Sequence, residues 1–96
     1  MRQYVLSPLA ERDLIDIWNY VALDSPDAAD RVLLKLRDEL RKLAANPGLG
    51  HWRPDLPVSD LRVWTVYSYL IIFRFTADDL QVIRIIHGSR DLPNTL

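Results

Sequence analysis

Serine is followed by proline twice in this chain, at Ser7-Pro8 and at Ser25-Pro26, and each pair is a place where a helix can start. A serine hydroxyl just outside the first turn accepts a hydrogen bond from one of its orphan N–H groups. A proline at the first helical position gives up an N–H that would have had no partner. The residues after each pair keep helical spacing. After the first pair, Ala10, Leu14, Ile17, Trp18 and Val21 form one stripe, while Glu11, Asp13 and Asp16 read as a solvated face, and the helix is predicted to run to about Leu23. After the second pair the stripe is Ala29, Val32, Leu33, Leu36, Leu40 and Leu43, with Arg31, Lys35, Asp38, Glu39, Arg41 and Lys42 opposite. Asp24 and Asp27 place negative charge at its start, and Asn46-Pro47-Gly48 ends it. Helices joined by so short a link must fold back on each other as a hairpin.

Two amphipathic helices need an apolar surface to lie on, and the rest of the chain supplies strands. Arg2 to Leu6 reads as a short strand, with Tyr4 and Leu6 on one face and Val5 on the other. The stretch from Asn46 to Ser59 contains Pro47, Gly48, Gly50, Pro54 and Pro57 and reads as a loop. Leu61 to Val66, Tyr69 to Thr76 and Leu80 to Gly88 are rich in β-branched and aromatic residues, and breaks short enough for hairpins separate them. The predicted order is β-α-α-β-β-β, an α+β domain with a helical hairpin packed on an antiparallel sheet. The middle strand directs Ile71, Phe73 and Phe75 one way and Leu70, Ile72 and Arg74 the other. Two helices cover only one face, so the other is expected to leave apolar surface for a partner. Leu23, Leu34, Leu49, Trp52 and Leu56 lie off the core stripes and are expected to line a partner groove along the hairpin and the sheet edge.

Composition narrows the chemistry. Ninety-six residues suffice for one domain. There is no cysteine, and His51 and His87 are the only histidines, so neither a disulfide nor a metal cluster is expected. Gly48-Leu49-Gly50 lacks the strand before and helix after that a phosphate-binding loop requires, and no cofactor is expected. Met1 to Ala10 is too polar for a signal peptide, and the longest purely apolar run, Leu70 to Phe73, is far short of a membrane span. A cytoplasmic protein without membrane contact is the expectation.

The net charge is −1. That value argues against gripping nucleic acid by bulk electrostatics, and no direct nucleic-acid binding is expected. Both lysines, Lys35 and Lys42, precede Gly48, so the second half is basic only through arginine, whose planar fork suits specific contacts. Arg62, Arg74, Arg84 and Arg90, with His87, are the candidates for a target-contacting surface. Each also has an ordinary reading. Arg62 and Arg74 suit solvated strand positions, and Arg90 with Asp91 suits a local ion pair. Arg84, inside the apolar run Val82 to Ile86, must face solvent or meet an anion. His87 suits a partly buried histidine bonded near the sheet end. Trp18 reads as core, and Trp52 either plugs the core edge or anchors a partner.

Over nearly the full length the chain resembles ParE toxins of type II toxin–antitoxin modules, within the ParE/RelE superfamily. The resemblance rests on Leu6-Ser7-Pro8-Leu9-Ala10 with Asp13-Leu14 and Ile17-Trp18, then on Leu43-Ala44-Ala45-Asn46-Pro47-Gly48-Leu49-Gly50. Leu61-Arg62 opens a strand, and Arg84-Ile85-Ile86-His87-Gly88-Ser89-Arg90-Asp91 closes the last one. It implies a first strand lying beside the last, a ParD-like antitoxin as partner, and DNA gyrase as a protein target struck without catalysis. The five leucine and tryptophan positions then become candidate antitoxin contacts. The alternative branch, ribosome-dependent mRNA endonucleases of the RelE type, implies basic residues around a scissile phosphate and a general acid or base. Here Arg62 and Trp64 stand where such enzymes carry lysines, Leu70 where they carry an arginine, and the tail from Leu92 to Leu96 has no tyrosine. A binding module that has lost toxicity is a third reading.

Overall fold

Both serines cap as their sequence position requires. Ser7 Oγ accepts from the Ala10 N–H at 3.0 Å, and Ser25 Oγ accepts from the Ala28 N–H at 3.1 Å. In the computed structural model of the chain, residues 3–46, 48–56 and 60–88 are described. The elements in order are β1 (Gln3–Leu6), α1 (Pro8–Ala22), α2 (Pro26–Ala45), β2 (His51–Trp52), β3 (Arg62–Val66), β4 (Tyr69–Phe75) and β5 (Asp79–His87). Arg2, which the sequence places in the first strand, lies outside the described residues.

The five strands form one sheet in the order β1-β5-β4-β3-β2. Short turns make β3, β4 and β5 antiparallel neighbours, whereas β1 runs parallel to β5, with Leu6 beside Val82. The sheet is therefore mixed, not wholly antiparallel. A chain that leaves β1 through two helices on one face can return in the same direction, and a two-residue turn cannot. β2 is a second departure, because its two residues lie inside the expected loop. They pair with β3, Trp52 opposite Arg62.

The core divides into two clusters across the sheet. On the helix side, Leu14 and Ile17 of α1 and Leu36, Leu40 and Leu43 of α2 pack on Ile71, Phe73, Leu80, Val82 and Ile85. On the other side, Leu61, Val63, Ile72 and Ile86 gather around Leu56. The expected open apolar face is thus partly roofed by the chain itself. Leu56 is only 6% exposed, and Leu49 is half-buried against the main core, so neither is the exposed groove residue that the sequence suggested. The roof is held locally. Arg53 forks onto Asp55 at 2.8 and 2.7 Å, holding that carboxyl down at about 2, and the Arg53 N–H donates to the Leu61 carbonyl at 3.0 Å.

β5 is not regular along its whole length. Phe73 faces Val82 while Ile72 faces Arg84, so β5 carries one extra residue, Ile83. The bulge falls where β1 ends. There the Ser7 hydroxyl donates to the Ile83 carbonyl at 2.7 Å and the Ser7 N–H donates to the Val82 carbonyl at 2.9 Å. A bulge redirects the side chains beyond it.

Gly50 shows how tightly the long loop meets the sheet. Its φ is +95°, and a Cβ there would lie 2.5 Å from Cζ of Phe73, whereas Gly48 has open space. Gly50→Ala should therefore cost about 1–3 kcal/mol through strain and displacement of Phe73. At roughly 4–8 °C per kcal/mol, thermal melting should show a clear fall for this variant and almost none for Gly48→Ala. Equal melting of the two variants would contradict the packing described.

Candidate functional site

α1 lies across β5 because one carboxylate fastens it there. Asp13 is buried, accepts from Arg84 Nε at 2.8 Å and Nη2 at 2.9 Å, and accepts from the Ile85 N–H at 2.9 Å. Asp13 is therefore not on the solvated face that its spacing suggested, which is a correction. Arg84, by contrast, has met the anion that its place in an apolar run called for, and this ion pair occupies the guanidinium offered as a target contact. Hydrogen bonding to Asp13 raises the Arg84 guanidinium above its ordinary value despite burial.

Fastened this way, α1 leaves a groove on each flank. The first, of about 450 Å³, runs between the helices toward β1, with Leu6, Leu14, Ile15, Trp18 and Leu33 along it and Glu11 and Arg37 at its margins. Trp18 is a half-buried wall here, not core, and its Nε1–H donates to Asp30 Oδ1 at 2.9 Å, which spans the two helices. Ile15 is 60% exposed, and Leu34, one residue on from Leu33, is 62% exposed. Sequence reasoning missed Ile15 and misplaced Trp18. The available signal was an apolar residue standing next to the stripe, which widens it toward the neighbouring helix.

The second groove, of about 480 Å³, lies between α1 and β5 and includes Asp13, Asp16, Tyr20, Tyr69 and His87. A third hollow, of about 340 Å³, holds Trp52, Asp60, Arg62 and Phe75 at the β2 edge. In it the Arg62 guanidinium sits 5.8 Å from the Phe75 ring centroid, a cation–π contact.

The candidate residues do not converge. Arg62 and Arg74 lie toward one end of β4, where Arg74 Nε donates to Gln81 Oε1 at 2.9 Å. His87 lies beside Tyr69 at the other end, ring centroids 5.9 Å apart and edge to face. Along β4, Arg74 and the Phe73 opposite Arg62 are five and four residues from Tyr69, about 13–17 Å at ~3.3 Å per residue. Arg90 lies outside the described residues. Of the five candidate antitoxin contacts, Leu23, Leu34 and Trp52 are exposed, but Leu23 follows α1 and Trp52 stands on β2, so they form no single strip. Among the described residues no group of three histidine, cysteine or acidic side chains could hold a metal ion, and no helix is long and apolar enough to cross a membrane.

The outer side of α2 is tied to β3 through Glu39. It receives Lys35 at 3.1 Å, Lys42 at 3.6 Å and the Trp64 Nε1–H at 3.1 Å, and Lys42 also stands over the Trp64 ring. Burial raises this carboxyl, but the hydrogen bonds from Lys35 and Trp64 with the two lysine charges outweigh it, and the net shift is downward from 4.5. A depressed folded pKa gives stabilisation that is present above the unfolded value and lost as pH falls through the folded one. Glu39→Gln should accordingly be less stable than the parent by about 1 kcal/mol near neutral pH. The gap should close in acid once Glu39 is protonated. Urea unfolding at the two extremes checks this, and a gap that persists in acid would contradict it.

Comparison with known proteins agrees with this architecture. The family model described as the ParE toxin of the type II toxin–antitoxin system parDE matches residues 4–92. The chain is 28% identical to Toxin ParE1 of Mycobacterium tuberculosis over 97 residues, covering 98% of this chain and 97% of that one, in strains CDC 1551 and H37Rv alike. A chain of the solved chromosomal ParDE TA system from P. aeruginosa overlays with a TM-score of 0.74 at 24% identity, covering 91% of this chain and 95% of that one. The last likeness speaks for the fold, and the match over 4–92 for the family: the chain belongs to the ParE toxins of type II toxin–antitoxin systems.

Proposed function

We propose that this toxin acts in the cytoplasm by protein–protein contact, with DNA gyrase as its target, and that a ParD-like antitoxin silences it by laying an amphipathic helix in the α1–α2 groove. The observation that carries the antitoxin reading is that groove. It is about 450 Å³ and lined mainly by apolar side chains from the two helices, exposed Ile15 among them, while Leu34, next in sequence to the lining residue Leu33, is exposed on α2. A helix-in-groove partner is read as apolar anchors at three- and four-residue spacing, which suits such a slot. Burying about 300 Å² of apolar surface at ~25 cal/mol per Å² favours association by ~7 kcal/mol before ordering costs.

The reading of a toxin without chemistry of its own is supported by the scatter of Arg62, Arg74, Arg84 and His87 over both ends of the sheet, and by the commitment of Arg84 to Asp13. Phosphoryl-transfer chemistry needs cations and a proton donor or acceptor around one point. The gyrase assignment rests on family membership.

Ile15→Asp and Leu34→Asp should each weaken antitoxin binding by roughly 10–100-fold, measured by calorimetry, while circular dichroism shows the fold retained. Unchanged affinity in both would place the antitoxin elsewhere. The purified toxin should inhibit supercoiling by gyrase and leave ribosome-bound mRNA intact. Codon-dependent cleavage would overturn the non-catalytic reading.

A further inference from the structure

The groove on the other flank of α1 is chemically unlike the apolar one. Asp13, Asp16, Ile17 and Tyr20 line its helix side, and Tyr69, Ile85, Ile86 and His87 its strand side. Two carboxylates and three aromatic rings meet there, with no lysine or arginine among the lining residues. The two walls are close enough for Tyr20 to act on Tyr69, whose phenol is pushed up by burial first and by Tyr20 second. Tyr69 therefore stays neutral across the physiological range and keeps its O–H as a donor.

One of the two carboxylates is already committed to a guanidinium that is not itself among the lining residues. Arg84 forks onto Asp13 at 2.8 and 2.9 Å, which neutralises that carboxylate. Asp16, one turn toward the mouth, is exposed and has no ion-pair partner among the described residues. Tyr20 is exposed one further turn along, and the edge-to-face pair of Tyr69 and His87 forms the facing wall. A carboxylate beside aromatic rings favours a cation, and a planar one can stack on a ring while it donates to the carboxylate.

We propose that the α1–β5 groove is a docking site for an arginine side chain of a partner polypeptide, held by Asp16 and sandwiched by Tyr20 and the Tyr69–His87 pair. The occupant is a polypeptide because the groove is an open trough along a strand, so a chain can lie in it while one side chain reaches the carboxylate. This site lies across α1 from the apolar groove and does not rest on the antitoxin assignment made there. Whichever partner uses it gains specificity from one positive charge, which a purely apolar slot cannot give.

The test uses the full chain, labelled for NMR, titrated with the tripeptide acetyl-Gly-Arg-Gly amide, with the same peptide carrying neutral citrulline, and with spermidine. The arginine peptide should give saturable shifts at Asp16, Tyr20, Tyr69 and His87. Citrulline should bind at least about threefold more weakly, as expected for loss of an exposed cation–π and charge contact, and spermidine should bind more weakly than the arginine peptide. Asp16→Asn should weaken the arginine peptide by a similar factor while the rest of the spectrum stays in place. Tyr20→Leu gives a second variant on an exposed position and should act in the same direction. Shifts equal for arginine and citrulline, tighter binding of spermidine, or no saturable shift in the groove would each overturn the proposal.

Discussion

Where β1 ends, β5 continues with an open edge, and the fold resolves that edge with a single carboxylate. Asp13 takes the Ile85 N–H that a longer β1 would have taken, and it takes the Arg84 guanidinium that the Ile83 bulge brings round. Exposed strand edges invite unwanted pairing, so filling one from a helix is a physical necessity as well as a packing device. Breaking such a pair from one side strands a charge with little water to take it up, which costs far more than the intact pair contributes. The position of α1 over β5 follows from this contact, and the position of α2 follows from α1 through their shared core and the Trp18–Asp30 bond.

The surface inherits its plan from that placement. With α1 fixed, an apolar trough opens toward α2 and an acidic, aromatic one toward β5, and the two flanks of one helix carry opposite chemistries. A toxin that works by contact needs this kind of surface more than it needs a convergent active site. On the proposed reading one protein silences the toxin and another is its target, and separate surfaces allow both contacts to be specific. The thin core of a 96-residue chain is consistent with a protein whose stability rises when a partner covers its apolar trough.

Much of the architecture could be read from residues alone. The two Ser-Pro caps placed both helices, because a cap is a local device whose hydrogen bond depends on residues three positions apart. Strand parity separated Ile71, Phe73 and Phe75 from Ile72, and the two clusters show the first set to face the helices. What escaped depends on contacts between distant parts of the chain. Asp13 looks like any solvated carboxylate until Arg84, 71 positions away, is folded against it. Leu56 sits among prolines with no periodicity to mark it, so its burial comes only from the path of the loop over β3. β2 has two residues and cannot register as a pattern, and the parallel pairing of β1 is a property of the crossover. The candidate arginines were legible as chemistry but not as a site, because their spacing in sequence says nothing about which end of a strand each one occupies.

The Asp13–Arg84 pair, more than the apolar contacts around it, fixes α1 on β5, and both flanking grooves depend on that attachment. A double-mutant cycle of Asp13→Asn and Arg84→Met, read by urea unfolding of the parent, both single variants and the double, measures it directly. Each single change should destabilise by about 2–4 kcal/mol, somewhat less than for a fully buried pair. The double variant should be more stable than the sum of the two losses by at least about 1 kcal/mol. Losses that add to within about 0.5 kcal/mol would show the two side chains to be energetically independent and would contradict this attachment.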